Sequence, residues 1–421
     1  MGAIFDRDSS KLYLVCSGAT EVWAPWPAPL AWLKYNHEAN WRRIRPNLKL
    51  SGRPVAGELA RFRAREREFP YKLHLSGAEE KAAIRRGERL ARLQWAALIP
   101  EPVRRAIAPF GTRQWHLLSM AARCGDGALD LIRANPALAF MLASNWVFHR
   151  PAVQQPLRSV RALLRPDRKQ VEMLAWLGFP ARPAVRRVLT RIPARSLNVE
   201  RLLYLRDACS NPATLKRLCH LPRLNAGCLR IVTDPVLADV VGQSLLAAVG
   251  ADRTEDPAGR CRIAQLLFDT LRVRAEIGRP VEGVLPARTL RDLEAIHDEA
   301  VDALNGINER AGCRNALPFP EPPLPGDDQV VPITSARELR AEGMAMRHCV
   351  AIHESDVSFI KNYYVYRVVA PERATLAIRR TRGGWKIAEL SGRRNRAVSS
   401  ETRTRVQAWF DSAVGAGAAA G

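Results

Sequence analysis

No signal-peptide pattern opens this sequence: Met1-Gly2-Ala3-Ile4-Phe5-Asp6-Arg7-Asp8 has neither a basic stretch nor an apolar core. Asp6 stands where N-myristoylation needs Ser or Thr. No run reaches the ~18 uninterrupted apolar residues of a membrane-spanning helix. The nearest, Pro136–Phe148 and Pro235–Gly250, are broken by Ser144 with Asn145 and by Asp239 with Gln243. The 8 cysteines are scattered with no C-x-x-C pair, and without an export signal reduced thiols in a soluble, cytoplasmic protein are expected. Cys209, Cys219, His220 and Cys228 have no zinc-ligand spacing. Also missing are G-x-x-x-x-G-K-[ST], G-x-G-x-x-G after a strand, H-E-x-x-H and G-x-S-x-G, so the sequence implies no metal and no cofactor. Lysine is scarce too, and arginine supplies most of the 65 basic residues.

What is present is a chain of 421 residues, 47% hydrophobic and 25% charged, enough for two or three packed domains. Its formal net charge is +23. Such a surplus favours polyanionic partners, with DNA or RNA first and an anionic membrane surface second. Residues 1–57 hold Trp23, Trp26, Trp32 and Trp41, with a strand expected at Lys11–Cys16 and helix blocked by Pro25, Pro27 and Pro29. Residues 58–100 read as a basic, charged helical segment. Residues 101–315 read as an irregular domain of short amphipathic helices. Many of these open on a proline joint, as at Asn135-Pro136, Arg150-Pro151, Arg182-Pro183, Asn211-Pro212 and Asp234-Pro235. Such a helical array is also a surface for protein partners. Residues 316–334, with five prolines between Leu317 and Gly326, read as an extended linker.

Beyond it the period changes. Ser335–Met346 fits a helix opened by Ser335 and Glu338, and a second helix is expected over about 349–361. Tyr363–Val369, Ala374–Arg380 and Trp385–Leu390 alternate as strands, with a turn at Arg382-Gly383-Gly384. A final helix is expected over Ser399–Val414. The expectation is therefore a mainly α protein. Its helical array is followed by a small C-terminal α+β domain at 335–414 with a three-stranded antiparallel sheet, ordered α-α-β-β-β-α, and by a flexible tail at 415–421.

Several words in this region, in order, resemble the PcfJ-like family of conjugative plasmids and other bacterial and phage genomes. They are Pro322-Pro323-Leu324-Pro325-Gly326, Ser335-Ala336-Arg337-Glu338-Leu339, Glu342-Gly343 with Met346-Arg347-His348-Cys349-Val350, and Tyr364-Val365-Tyr366-Arg367-Val368. Pro371-Glu372-Arg373-Ala374-Thr375-Leu376 and Trp385 through Gly392 to Asn395 follow. The resemblance spans 318–413, and a weaker one covers 114–140. It implies an accessory protein of bacterial mobile elements and no established reaction. Where the family usually carries Tyr, this chain has His353.

Two sets of candidate residues remain. His348, Cys349 and His353 suggest a catalytic centre: on one α-helix Cys349 and His353 would share a face, and a Cys beside a His can form a thiolate–imidazolium pair. A buried inert thiol and a partial metal site are the competing readings of the same residues. The second set is basic. Residues 42–67 carry a net +7, with Arg42, Arg43, Arg45, Arg61, Arg63, Arg65 and Arg67 beside Trp41 and Phe62. Arg379, Arg380, Arg382, Arg393, Arg394 and Arg396 cluster near the hairpin tip and after the last strand. Arginine and aromatics together suit nucleic-acid binding; a solvated arginine face is the plainer reading. His297-Asp298-Glu299 reads as a helix face with a polar contact. Three functions follow: a non-enzymatic nucleic-acid-associated protein, an enzyme centred on His348, Cys349 and His353, or a helical scaffold for protein partners.

Overall fold

The computed structural model describes residues 2–16, 18–60, 77–144, 156–165, 168–252, 262–311, 318–381 and 384–417. The chain forms two compact units, Met1–Ala238 with Val249–Arg262, and Asp239–Ala248 with Ile263–Gly421.

The first unit opens with an antiparallel meander: β1 (Gly2–Asp6), β2 (Lys11–Cys16), β3 (Ala19–Trp23), β4 (Ala31–Tyr35) and β5 (Arg42–Ile44) pair in sequence order. One strand had been expected here and five are found. Gly18, at φ +95°, turns β2 into β3, and the chain after Pro25 returns as β4, in register from Ala19↔Tyr35 to Trp23↔Ala31. The prolines that block helix therefore serve as the corner between two strands. Trp23 carries the sheet into the helical body by edge contacts with Trp95 (5.3 Å) and Trp115 (5.4 Å).

The helices that follow are α1 (Gly77–Ala97), α2 (Glu101–Ile107), α3 (Gln114–Cys124), α4 (Asp126–Ala134), α5 (Pro136–Ala143), α6 (Pro156–Leu163), α7 (Gln170–Trp176), α8 (Pro183–Thr190), α9 (Val199–Ala208), α10 (Pro212–Cys219), α11 (Ala226–Thr233), α12 (Pro235–Val240) and α13 (Gln243–Ala251). The proline joints at Pro136, Pro183, Pro212 and Pro235 open helices as expected. Asn135 Oδ1 accepts from Leu138 N at 3.2 Å and Asn211 Oδ1 from Ala213 N at 2.9 Å, so side-chain amides satisfy first-turn donors that proline cannot occupy. The Arg150-Pro151 joint lies outside the described residues.

The second unit adds α14 (Arg262–Glu276) and α15 (Leu290–Ala311), then β6 (Val330–Pro332), α16 (Ala336–Met346), β7 (Tyr363–Val368), β8 (Ala374–Thr381), β9 (Gly384–Ser391) and α17 (Ser400–Gly417). Its sheet has four antiparallel strands in the order β6-β7-β8-β9, not the expected three. The extra strand comes from the proline-rich stretch. Phe319, Leu324, Val330 and Ile333 are buried in the core of this unit, and Leu324 exchanges both backbone hydrogen bonds with the Tyr366 hydroxyl. Proline density suggested an isolated extended segment, but an extended segment with an apolar residue every few positions can equally lie along a sheet edge. Gly326 permits this close return, since a Cβ there would sit 2.7 Å from the Val330 carbonyl oxygen.

The expected helix over 349–361 is also replaced. α16 ends on Arg347 in the left-handed region (φ +50°), and the chain continues as a 3-10 turn, Val350–His353, and a π-helical turn, Asp356–Ile360. The strand register decides what each face of the sheet carries. Tyr364 and Tyr366 face α17, where the Trp409 ring lies 5.0 Å from Tyr366. Tyr363, Thr375, Ala377, Glu389 and Ser391 share the opposite face through the pairs Thr375↔Ser391 and Ala377↔Glu389. Leu324→Ala is expected to lower the unfolding free energy of this unit by roughly 2–5 kcal/mol, the usual result for a buried leucine. Exposed Glu321→Ala is expected to change it little, and urea denaturation of the two variants measures the difference.

Candidate nucleic-acid interface and the buried network behind it

The site is built outward from one carboxylate. Glu342, on the inner face of α16, is only 1% exposed. Its Oε2 accepts from Arg367 Nε at 3.1 Å and from the Arg373 guanidinium, and its Oε1 accepts from Thr375 Oγ1 at 2.7 Å. Burial alone would raise its pKa. The hydrogen bonds from Arg373, Thr375 and Arg367 outweigh that effect and hold the carboxyl below its ordinary value.

Thr375 gives its single hydroxyl proton to Glu342, so at 2.8 Å it accepts from His348 Nε2. The His348 proton is therefore on Nε2, and Nδ1 is an acceptor with no hydrogen-bond partner. Burial lowers this imidazole's pKa to about 4, and it is neutral at pH 7. Gly343 completes the corner: the His348 N–H donates to its carbonyl at 3.1 Å, and a Cβ on Gly343 would meet the His348 oxygen at 3.1 Å. The Glu342-Gly343 and Arg347-His348 words are thus two halves of one helix terminus.

A second histidine braces the neighbouring loop. Thr270 Oγ1, on α14, donates to the Leu266 carbonyl and accepts from His297 Nδ1 at 3.2 Å; His297 Nε2 accepts from Asn395 Nδ2 at 3.2 Å. His297 is 2% exposed, and burial lowers its pKa. The expected polar contact of His297-Asp298-Glu299 is this bridge, with Asp298 reaching Arg394 at 3.8 Å.

The two braced loops bring four exposed arginines together. Arg347, from the end of α16, and Arg393, Arg394 and Arg396, after β9, line one cleft of about 360 Å3. Arg394 has Asp298 as partner. Arg347, Arg393 and Arg396 have no carboxylate partner among the described residues. Arg347, Arg394 and Asn395 all have left-handed backbones, at φ +50°, +55° and +55°. Each costs on the order of 1 kcal/mol in a residue with a Cβ, a strain that tends to concentrate at functional sites. Arg347 was absent from the residues expected to bind nucleic acid; only the tertiary structure sets it opposite Arg393.

The other basic candidates are dispersed. Arg379 and Arg380 sit toward the hairpin end of β8, the far end of β9 from Arg393, with Arg379 over the Tyr363 ring at 5.4 Å. Arg42 pairs with Glu38 at 2.5 Å, while Arg43 and Arg45 line a separate groove of about 760 Å3 with Arg123 and Arg161. Arg61, Arg63, Arg65, Arg67 and Arg382 lie outside the described residues.

His348, Cys349 and His353 do meet, around a cavity of about 30 Å3 on the sheet face carrying Thr375 and Glu389. That is room for one or two waters. The one-face helical arrangement does not exist, because Cys349 caps a 3-10 turn rather than continuing an α-helix. Burial, with Asp269 and Glu389 nearby, pushes the Cys349 thiol far above its ordinary value, which opposes thiolate formation. His353 Nδ1 donates to Asp356 Oδ2 at 2.8 Å, and its ring stacks on Tyr363 with centroids 4.3 Å apart. Asp356 as an orienting partner was not foreseen. The spacing was readable, since residues three apart are neighbours on a helix, but an acid beside a histidine in a charged segment gave no signal of its own. Among the described residues no three His, Cys, Asp or Glu side chains form a metal-binding group, and no helix is long and apolar enough to cross a membrane.

Compared with known proteins, residues 266–407 match the family described as PcfJ-like protein. The match extends upstream of the motif words to take in most of α14 and all of α15, the helices that carry Thr270 and His297. No curated protein and no solved structure matches the chain.

The buried imidazoles give this unit a definite acid response. Folding lowers the pKa of His297, His348 and His353, so the unfolded chain binds protons that the folded one refuses. Their stabilisation is complete above about pH 6.5, the unfolded value, and is lost as pH falls toward 4, with His348 alone worth on the order of 3 kcal/mol. Glu342, also depressed, adds a further loss below about pH 4.5. Urea midpoints are expected to be level from pH 8 to 7 and to fall from 6.5 downward. His348→Gln, which keeps a donor for Thr375, is expected to flatten the first part of that fall.

Proposed function

Given this PcfJ-like region, we propose that the protein is a non-enzymatic, nucleic-acid-associated accessory protein of bacterial mobile elements. It grips the phosphodiester backbone of DNA or RNA through Arg347, Arg393, Arg394 and Arg396. The observation that carries this reading is the convergence of four exposed guanidinium groups on one cleft, of which, among the described residues, Arg394 alone has a carboxylate partner, Asp298. A merely solubilising arginine face has no reason to hold two of its members in left-handed backbone at a cost in stability. Guanidinium forks match phosphate oxygens in pairs, and each phosphate neutralised releases condensed counterions.

Full-length protein is expected to bind a duplex or single-stranded oligonucleotide with log affinity falling against log salt at a slope of about −3 to −4, about 0.9 per phosphate contact. Replacing Arg393 and Arg396 by alanine is expected to shallow the slope by nearly 2. Arg347→Gly separates function from fold: glycine relieves the left-handed strain, so stability rises by up to about 1 kcal/mol while binding weakens. Fluorescence anisotropy across a salt series with thermal melts of the same variants gives both readings. No binding at 50 mM salt, or slopes indifferent to these arginines, refutes the proposal.

A second reading has one observation in its favour. Asp356 orients His353, which lines the same cavity as Cys349, as a third member orients the base in a Cys–His pair. The raised thiol pKa and the absence of room for a substrate weigh against it. Cys349 is accordingly expected to resist iodoacetamide in the folded protein at pH 7.5 and to react after unfolding. Rapid labelling of the folded thiol would favour the enzyme reading instead.

A further inference from the structure

The first unit contains a second concentration of cations, independent of the four arginines above. α1 turns Arg85, Arg89 and Arg92 toward one face at spacings of four and three, and they line a cleft of about 470 Å3. Lys49 and Arg53 close the other side. Arg104, on α2, lies at the cleft wall and is 8% exposed. Its Nε donates to the Ile99 carbonyl at 3.0 Å, which fixes the guanidinium plane. Its Nη1 is buried without a hydrogen-bond partner.

A guanidinium cannot shed its charge near neutral pH, and a buried one with an unused donor is costly unless an anion meets it. Glu101 and Glu58 lie near enough for their charges to act on Arg104, but neither hydrogen-bonds its Nη1. Of the two acids lining the cleft, Glu58 is already engaged by the Ser51 hydroxyl at 2.8 Å and lies 3.8 Å from Arg89. Among the described residues the cleft thus has six cations against Glu58 and Glu88.

Its walls are held in place before any ligand arrives. Buried Gln114 accepts from the Leu50 N–H at 2.6 Å and donates to the Ala108 and Phe110 carbonyls, tying the strip with Lys49 and Arg53 to the start of α3. Arg92 stacks over Trp23 with its guanidinium carbon 5.3 Å from the ring centre. The volume falls within the range of small-ligand sites and is too small for a folded partner.

We propose that this cleft binds a phosphomonoester group, seated on Arg104 and flanked by Arg85, Arg89 and Arg92. A doubly charged, tetrahedral phosphate uses several guanidinium forks at once, whereas one carboxylate would leave most of these cations uncompensated. The group has two sources, a free nucleotide and the 5′-phosphorylated end of a nucleic-acid strand.

The test uses full-length protein carrying Arg393→Ala and Arg396→Ala, so that the other arginine cluster contributes little, with the unmutated protein in parallel. Probes are thymidine 5′-monophosphate, thymidine, and a dT oligomer ending in 5′-phosphate or 5′-hydroxyl. The monophosphate is expected to bind at least about tenfold more tightly than thymidine, or the phosphorylated oligomer than its hydroxyl twin, the scale of a charge-assisted contact. The first result identifies a free nucleotide, the second a strand end, and both support the site. Arg104→Met is expected to abolish the preference. Should that variant fail to fold, Arg85→Ala and Arg53→Ala, at exposed positions, are expected to reduce it several-fold with unchanged melting. Equal binding of phosphorylated and unphosphorylated probes, or a preference untouched by Arg85→Ala and Arg53→Ala, overturns the inference even if the protein still binds nucleic acid. Conversely, a phosphate preference in protein that binds no internal phosphodiester leaves this site standing and removes the function proposed above.

Discussion

The Glu342 carboxylate is the constraint on which the C-terminal unit depends. A buried carboxylate is tolerable only when its oxygens are fully met, and here Arg367, Arg373 and Thr375 meet them from two adjacent strands. That requirement ties α16 to β7 and β8, hands a proton-accepting hydroxyl to His348, and so places the helix terminus where Arg347 must leave the helix. Removing the carboxylate would leave two arginines and a hydroxyl seeking partners at the centre of the unit. A packed apolar residue would hold the same elements together, but it would not orient His348.

The two histidine bridges share a logic. In each, a threonine hydroxyl spends its proton on an acceptor and takes the imidazole N–H in return, so the tautomer is set and the ring stays neutral. Neutral histidines make rigid struts at neutral pH without adding buried charge. They support loops whose exposed faces are strongly cationic. Polar order inside and positive charge outside are therefore linked through backbone, at Arg347-His348 and at Arg394-Asn395, rather than through direct side-chain pairing. The left-handed backbones of Arg347, Arg394 and Asn395 fall at these same joints, where the chain must turn a polar side chain inward and its neighbour outward.

Much of the fold was legible in the residues. Alternation between Tyr363 and Leu390 marked three strands, Ser335 marked the start of α16, and asparagine or aspartate before proline marked helix starts. Two readings failed for definite reasons. Proline density between 317 and 326 suggested a spacer, yet Leu324 and Phe319 are core residues, because burial depends on what lies opposite and local composition does not record that. Helical periodicity after His348 suggested a continuous helix, yet a left-handed Arg347 stops α16, and no rule of local preference places arginine there instead of glycine. Within the candidate site, Arg393, Arg394 and Arg396 were visible as a basic run. Arg347 and Asn395 were not assigned to it, and His297 was read as a polar contact without its partners, since 46 to 98 residues separate these groups from the ones they meet.

Chemical character was thus determined by the amino-acid sequence alone: a large arginine surplus, helix-rich cores, an α+β C-terminal region with PcfJ-like words, and a histidine beside a cysteine. Tertiary structure alone decided which of these groups act together. It set the half-buried cysteine against a cavity too small for a substrate, made His297 and His348 neutral struts, and gathered four arginines from two distant loops into one cleft. The physical reason is that charge and hydrogen-bonding capacity belong to individual side chains, while desolvation and convergence belong to pairs of segments. Their meeting is set by the strand register and by a single buried carboxylate.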